Sequence, residues 1–175
     1  QYGSVIRNLT NTQGVYCTNS SMAQLGGEIT GLDGSNALSV NESSTAVLQS
    51  TGNIHDNACS TAVVYLRAGA ELTVYGKINN NVSSGNCAAL FLVTNGASSH
   101  AVLENGGEIC GNKNGGSKYG AAAEVQQGES SLTINGGTIS GNSGPLGAIQ
   151  VHKGSSKLIM NGGKVVDNLS SSANG

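Results

Sequence analysis

Apolar residues in this chain recur in pairs two positions apart. One series is Val15/Cys17, Leu38/Val40, Val64/Leu66, Leu90/Leu92, Ala123/Val125 and Ile149/Val151. Another is Ala23/Leu25, Ala46/Leu48, Leu72/Val74, Ala101/Leu103, Leu132/Ile134 and Leu158/Met160. A spacing of two places both members on one face of a strand, so each pair predicts a short strand with one buried face. This parity also leaves Gln24, Gln49 and Glu104 outside the core, where an unpaired polar group would be costly. A third series is built on Gly, any residue, Ile or Val, two residues, then Asn. It reads Gly3, Val5, Asn8; Gly52, Ile54, Asn57; Gly76, Ile78, Asn81; Gly107, Ile109, Asn112; Gly137, Ile139, Asn142; and Gly163, Val165, Asn168. The copy at Gly27 and Ile29 carries Leu32 in place of the Asn.

Successive glycines of this third series fall 24 residues apart at their closest (Gly3 to Gly27) and 31 at their widest (Gly76 to Gly107). Each repeat therefore holds three short strands separated by Gly, Asn and Ser turns. A unit this small cannot bury its own apolar face and must stack on copies of itself. Equivalent strands then pair in parallel, rising ~4.8 Å per turn, so the column is roughly 30 Å long. The predicted fold is all-β, a right-handed parallel β-helix of about six to seven rungs with three short strands each. It takes residues 1–175 as one domain.

The Asn series Asn8, Asn57, Asn81, Asn112, Asn142 and Asn168 is similar to the Asn ladder that lines one turn of pectate-lyase-like right-handed β-helices. Asn accepts left-handed backbone angles, and stacked amides can hydrogen-bond along a column. The Ile139 to Asn142 segment with Gly147, Ala148, Ile149 and Gln150 also resembles repeats of bacterial surface and autotransporter proteins. The resemblance covers the chain, with Ile or Val where those repeats use Phe. It implies either an extracellular surface stalk of adhesin type or a polysaccharide-active or carbohydrate-binding module.

Composition narrows the function further. Charged residues are 10% of the chain and the net charge is −2, which gives no electrostatic footprint for nucleic acid or an anionic membrane surface. No apolar run approaches the length needed to span a bilayer. Nothing in the sequence calls for a cofactor. Residue 1 is Gln and no capping helix flanks the repeats, so the chain reads as a piece of a longer repeat protein. Its open ends are expected to associate end to end or with a partner chain.

Catalytic residue types are scarce. Asp occurs only at Asp33, Asp56 and Asp167, too few for the clusters that pectate-lyase-like or polygalacturonase-like chemistry implies. Asp33, Asp56 and His55 fall in neighbouring turns, where solvated turn positions account for them. No metal site is predicted, and an enzyme is not the favoured reading.

A recognition surface is better supported. The chain has five Tyr, one Phe and no Trp. Strand alternation points Tyr16, Tyr65 and Phe91 outward from one face, with Arg67 beside Tyr65 and Glu124 in the next rung. The loops after Asn81 and Asn112 are longer than their equivalents, and the second carries Tyr119. Tyr65, Arg67, Phe91, Tyr119 and Glu124 are thus the candidate ligand-binding residues, suited to a host or matrix glycan or protein. Cys59 and Cys87 lie in equivalent turns of neighbouring repeats and form a candidate disulfide. Cys17 faces the core and Cys110 another face.

Overall fold

The computed structural model describes residues 4–171 apart from Asn86 and Ala88, so Gly3 of the first repeat lies outside the described residues. Every strand pairs in parallel with its counterpart one repeat away, and no helix occurs among the described residues. The first sheet has seven strands, Val5–Arg7, Glu28–Thr30, Asn53–His55, Lys77–Asn79, Glu108–Cys110, Thr138–Ser140 and Lys164–Val166. The second has six, Val15–Cys17, Leu38–Asn41, Val64–Arg67, Leu90–Val93, Ala123–Gln126 and Ile149–His152. The third also has six, from Met22–Leu25 through Thr45–Leu48, Glu71–Val74, His100–Leu103 and Ser131–Ile134 to Lys157–Met160. The molecule is a parallel β-solenoid.

Registers in the second and third sheets follow the apolar pairs. Val15, Leu38, Val64, Leu90, Ala123 and Ile149 form one column. Leu25, Leu48, Val74, Leu103, Ile134 and Met160 form another. These inward columns meet in a single core in which Leu38, Leu66, Leu90, Leu92, Leu103 and Ile109 are wholly buried. The glycines that open the later first-sheet strands, Gly27, Gly52, Gly76, Gly107, Gly137 and Gly163, are there for close approach. A Cβ on Gly76 would sit 2.3 Å from the Gly52 carbonyl oxygen and 2.4 Å from that of Gln49.

Two features depart from the three-strand expectation. A fourth sheet of two-residue strands, Asp33–Gly34, Ala58–Cys59, Val82–Ser83, Lys113–Asn114, Ser143–Gly144 and Leu169–Ser170, lies between the first and second. The first repeat is also shifted by one residue, because Ile6 rather than Val5 pairs with Ile29. Ile6 and Leu9 pack on the core, while Val5 is exposed.

That shift removes Asn8 from the ladder. Its register places it beside Gly31, and Leu9 and Leu32 occupy the ladder column at this end. The ladder proper is Asn57, Asn81, Asn112, Asn142 and Asn168. Each Oδ1 from Asn81 onward accepts from both the backbone N–H and the Nδ2 of the Asn one rung back, at 2.9–3.1 Å. Each Nδ2 also donates to an Ile carbonyl of the preceding rung, as Asn112 does to Ile78 at 2.9 Å. The column begins where Asn57 Oδ1 accepts the Leu32 N–H at 3.0 Å.

The left-handed backbone angle belongs to the residue before the ladder, not to the ladder Asn. Asn8, Gly31, Asp56, Asn80, Gly111, Gly141 and Asp167 all have φ between 53° and 65°. Gly, Asn and Asp are the residues that adopt this conformation at least cost, which explains the composition of that column.

Candidate binding site

The outward row of the second sheet runs Tyr16, Ser39, Tyr65, Phe91, Glu124, Gln150, and beside it lie Asn41, Arg67, Val93, Gln126 and His152. Parallel in-register pairing sets neighbouring strands ~4.8 Å apart, a distance at which flat rings can stack. Tyr65 and Phe91 do so, with centroids 5.4 Å apart and planes at 19°. Arg67 closes one end, its guanidinium carbon 6.0 Å from the Tyr65 centroid and its Nε donating to Asn41 Oδ1 at 2.8 Å. Tyr16 stands apart, exposed and separated from the column by Ser39.

Tyr119 extends the column from the loop after Asn112. Its ring stacks on Phe91 at 6.3 Å and tilts against His152 at 6.3 Å. The loop is shaped by Asn114, whose Oδ1 accepts the Gly116 N–H at 2.9 Å and whose Nδ2 donates to Lys118 O at 2.8 Å. Tyr119 has φ of 69°, uncommon for a bulky residue. The loop before Leu90 contributes Cys87, which with Ala62 and Phe91 forms a small apolar cluster flanked by Tyr65 and Val93. The long loops thus fold onto the wall, and Phe91 retains only 5% exposure.

Beneath Tyr119 lies Glu124. Phe91 stands opposite Glu124 and His152 opposite Gln126, on the strands to either side, so the Tyr119 ring lies across the strand that carries Glu124. The Glu124 side chain is fully buried, and no protein group makes a well-formed hydrogen bond to either oxygen. His152 Nδ1 is 3.7 Å from Glu124 Oε1 and 3.4 Å from Gln126 Nε2. Burial drives the carboxyl up from 4.5 to about 7, which the Gly120 backbone offsets only in part. Burial, reinforced by the Glu124 charge, pushes the Cys87 thiol up to about 12.

The structure brings Tyr65, Arg67, Phe91, Tyr119 and Glu124 onto one wall and adds His152, Gln126 and Cys87, which the sequence does not single out. His152 was readable as outward-facing, but its contact with Tyr119 depends on where an aperiodic loop lands. The cysteines are all free thiols, so Cys59 and Cys87 are not bridged. Cys59 faces the main core, whereas Cys87 belongs to the separate cluster under the wall.

The first sheet carries the other polar groups. His55 Nδ1 lies 2.8 Å from Asp56 Oδ2 and its Nε2 lies 3.9 Å from Glu28 Oε2. Asp33 instead sits in a fourth-sheet strand opposite Ala58. Lys77 pairs with Glu108 at 3.0 Å, both half-exposed. No group of three or more His, Cys, Asp or Glu is placed to hold a metal among the described residues. A groove of about 290 Å³ is floored by Gly106, Gly107, Gly137 and Gly163, with Glu108, Thr138 and Lys164 at its sides.

Fold and wall together define a class, a parallel β-solenoid with an aromatic column and a buried carboxyl on one loop-covered face. Comparison with protein-family models, curated proteins and solved structures finds no match in any of the three.

Proposed function

We propose that this chain is a β-helical stalk segment of an extracellular surface protein, of adhesin type, that binds a glycan along its second sheet. The observation that carries the reading is the column Tyr65, Phe91, Tyr119 and His152 with Arg67 at one end. Aromatic rings beside polar groups suit a sugar, whose apolar ring face packs on carbon while its hydroxyls find donors and acceptors. The repeat scaffold supports the structural half of the reading, since a stacked column supplies length and a rigid wall. Membership of the pectate-lyase-like superfamily and a bacterial origin belong to the same proposal, resting on the Gly-x-Ile repeat and the Asn column.

A glycan array followed by titration calorimetry tests it. Binding of a defined glycan that weakens at least tenfold in both Tyr65→Ala and Tyr119→Ala supports the reading, and no binding across the array refutes it. A polysaccharide-active module is the second reading, favoured by Glu124, whose burial holds a proton near neutral pH as a general acid requires. Release of reducing ends from acidic polysaccharides, with and without calcium, separates the two.

A further inference from the structure

The wall contains a buried acid under a glycine-rich loop. Glu124 is covered from one side by Tyr119, approached by the Gly120 backbone, and flanked in the sheet by Phe91 and Gln150. The titratable groups facing it are the Cys87 thiol, the His152 imidazole and the Tyr119 phenol. Cys87 stays neutral through the physiological range because burial holds its thiol near 12. Only the Gly120 backbone N–H leans toward the carboxylate, short of a well-formed hydrogen bond, so burial outweighs it and an ionised carboxylate held dry there is disfavoured.

The covering segment carries local backbone strain. Gly115, Gly116 and Gly120 bracket Tyr119, which sits at a left-handed backbone angle that a bulky side chain rarely keeps. It is held by the Gly115 N–H to Ser83 O at 2.7 Å, by Asn114 to Gly116 and Lys118, and by the Leu146 N–H to Tyr119 O at 3.3 Å.

We propose that segment 115–119 is a flap latched by the protonation state of Glu124, closed while that carboxyl is neutral and released when it ionises. The sign follows from proton linkage. With the flap open, the carboxyl meets water and returns toward its ordinary value of 4.5, while under the flap it sits at about 7. Below 4.5 both states hold the proton and pH has no effect. Between these values opening releases a proton, so the open fraction rises about tenfold per pH unit. Above about 7 both states are ionised and the open fraction levels off. The flap would expose Glu124 and the Phe91 face together, so it would gate the binding wall. Only that use rests on the function proposed above, since the motion needs no ligand.

Hydrogen exchange of the full chain across this pH range, corrected for intrinsic rates, tests it. In the wild type, protection of the peptide spanning 115–121 should fall about tenfold per pH unit and then plateau, while core strands stay protected. Glu124→Gln, which keeps the shape without the charge, should abolish the slope, and His152→Gln should retain it. A flat wild-type profile, or a slope that survives Glu124→Gln, overturns the latch. If Glu124→Gln does not fold, the wild type still decides. Its Glu124 carboxyl carbon must titrate near 7 by NMR, together with the Tyr119 ring resonances, and an acid titrating near 4.5 with unmoved rings refutes the idea. A negative glycan array leaves this result intact, and a flat exchange profile leaves glycan binding intact.

Discussion

Replacing Asn112 by Ala removes five side-chain hydrogen bonds from a site with no solvent access. Its Oδ1 accepts from the Asn81 N–H and Nδ2, and its Nδ2 donates to Ile78 O, Cys110 O and Asn142 Oδ1. Ala can make none of these, and two partners are stranded in the dry column, the Asn81 N–H and one Asn81 Nδ2 hydrogen, while Ile78 O keeps its place in the first-sheet ladder opposite Ile109. At about 1 kcal/mol or more for each stranded group, the variant should lose ~2–3 kcal/mol. Asn168→Ala, at the half-exposed end of the column, should lose only ~1 kcal/mol because water replaces the missing partner. Urea unfolding followed by circular dichroism gives the two values, and hydrogen exchange shows whether the loss is local to the rungs beside residue 112. A cost below about 1 kcal/mol for Asn112→Ala, or equal costs at both positions, would refute the column as a buried hydrogen-bonded spine.

Other substitutions probe different parts of the fold. Gly76→Ala should cost ~3 kcal/mol or more, since its Cβ meets two backbone oxygens, whereas Gly106→Ala, with nothing within 4 Å, should lose only the ~1 kcal/mol of a left-handed Ala; comparable melting shifts would contradict this. Lys77→Ala should change stability by less than about 0.5 kcal/mol, because both partners of its ion pair are half-exposed, and a larger loss in salt-free buffer would count against that view. Under native conditions a thiol reagent should label Cys110 alone, and slowly, since Cys17, Cys59 and Cys87 are buried; mass spectrometry reads the number of adducts, and rapid labelling of Cys87 would show that its loop does not close over the wall.

Much of this architecture could be read from the residues because one parity alone suits each strand. In Leu38–Asn41 and Val64–Arg67 only one alternation keeps Asn41 and Arg67 out of the core, and the register follows. Parity is silent where that contrast vanishes. Val5 and Ile6 are both apolar, so parity does not choose between them, and the wrong choice brought Asn8 into the ladder. Two-residue strands such as Asp33–Gly34 have no period to detect. The left-handed column was visible in principle, because its seven members are all Gly, Asn or Asp. Glu124 reads as solvent-facing from alternation, and its burial depends on a loop whose landing place no periodicity encodes.

The parallel stacking has a mechanical consequence. In this fold the backbone hydrogen bonds between rungs run along the axis of the column, perpendicular to the strands. A force applied between its two ends therefore does not shear many bonds at once but peels one rung from the next, as a zipper opens. Each rung released frees 24 to 31 residues (Gly3 to Gly27 and Gly76 to Gly107), or roughly 80 to 110 Å of extended chain. From Asn57 to Asn168 the Asn column resists at each step with the same two bonds, an N–H and an amide Nδ2 held by one Oδ1. Under load such a column lengthens in nearly equal increments at nearly constant force, a tether that dissipates work gradually.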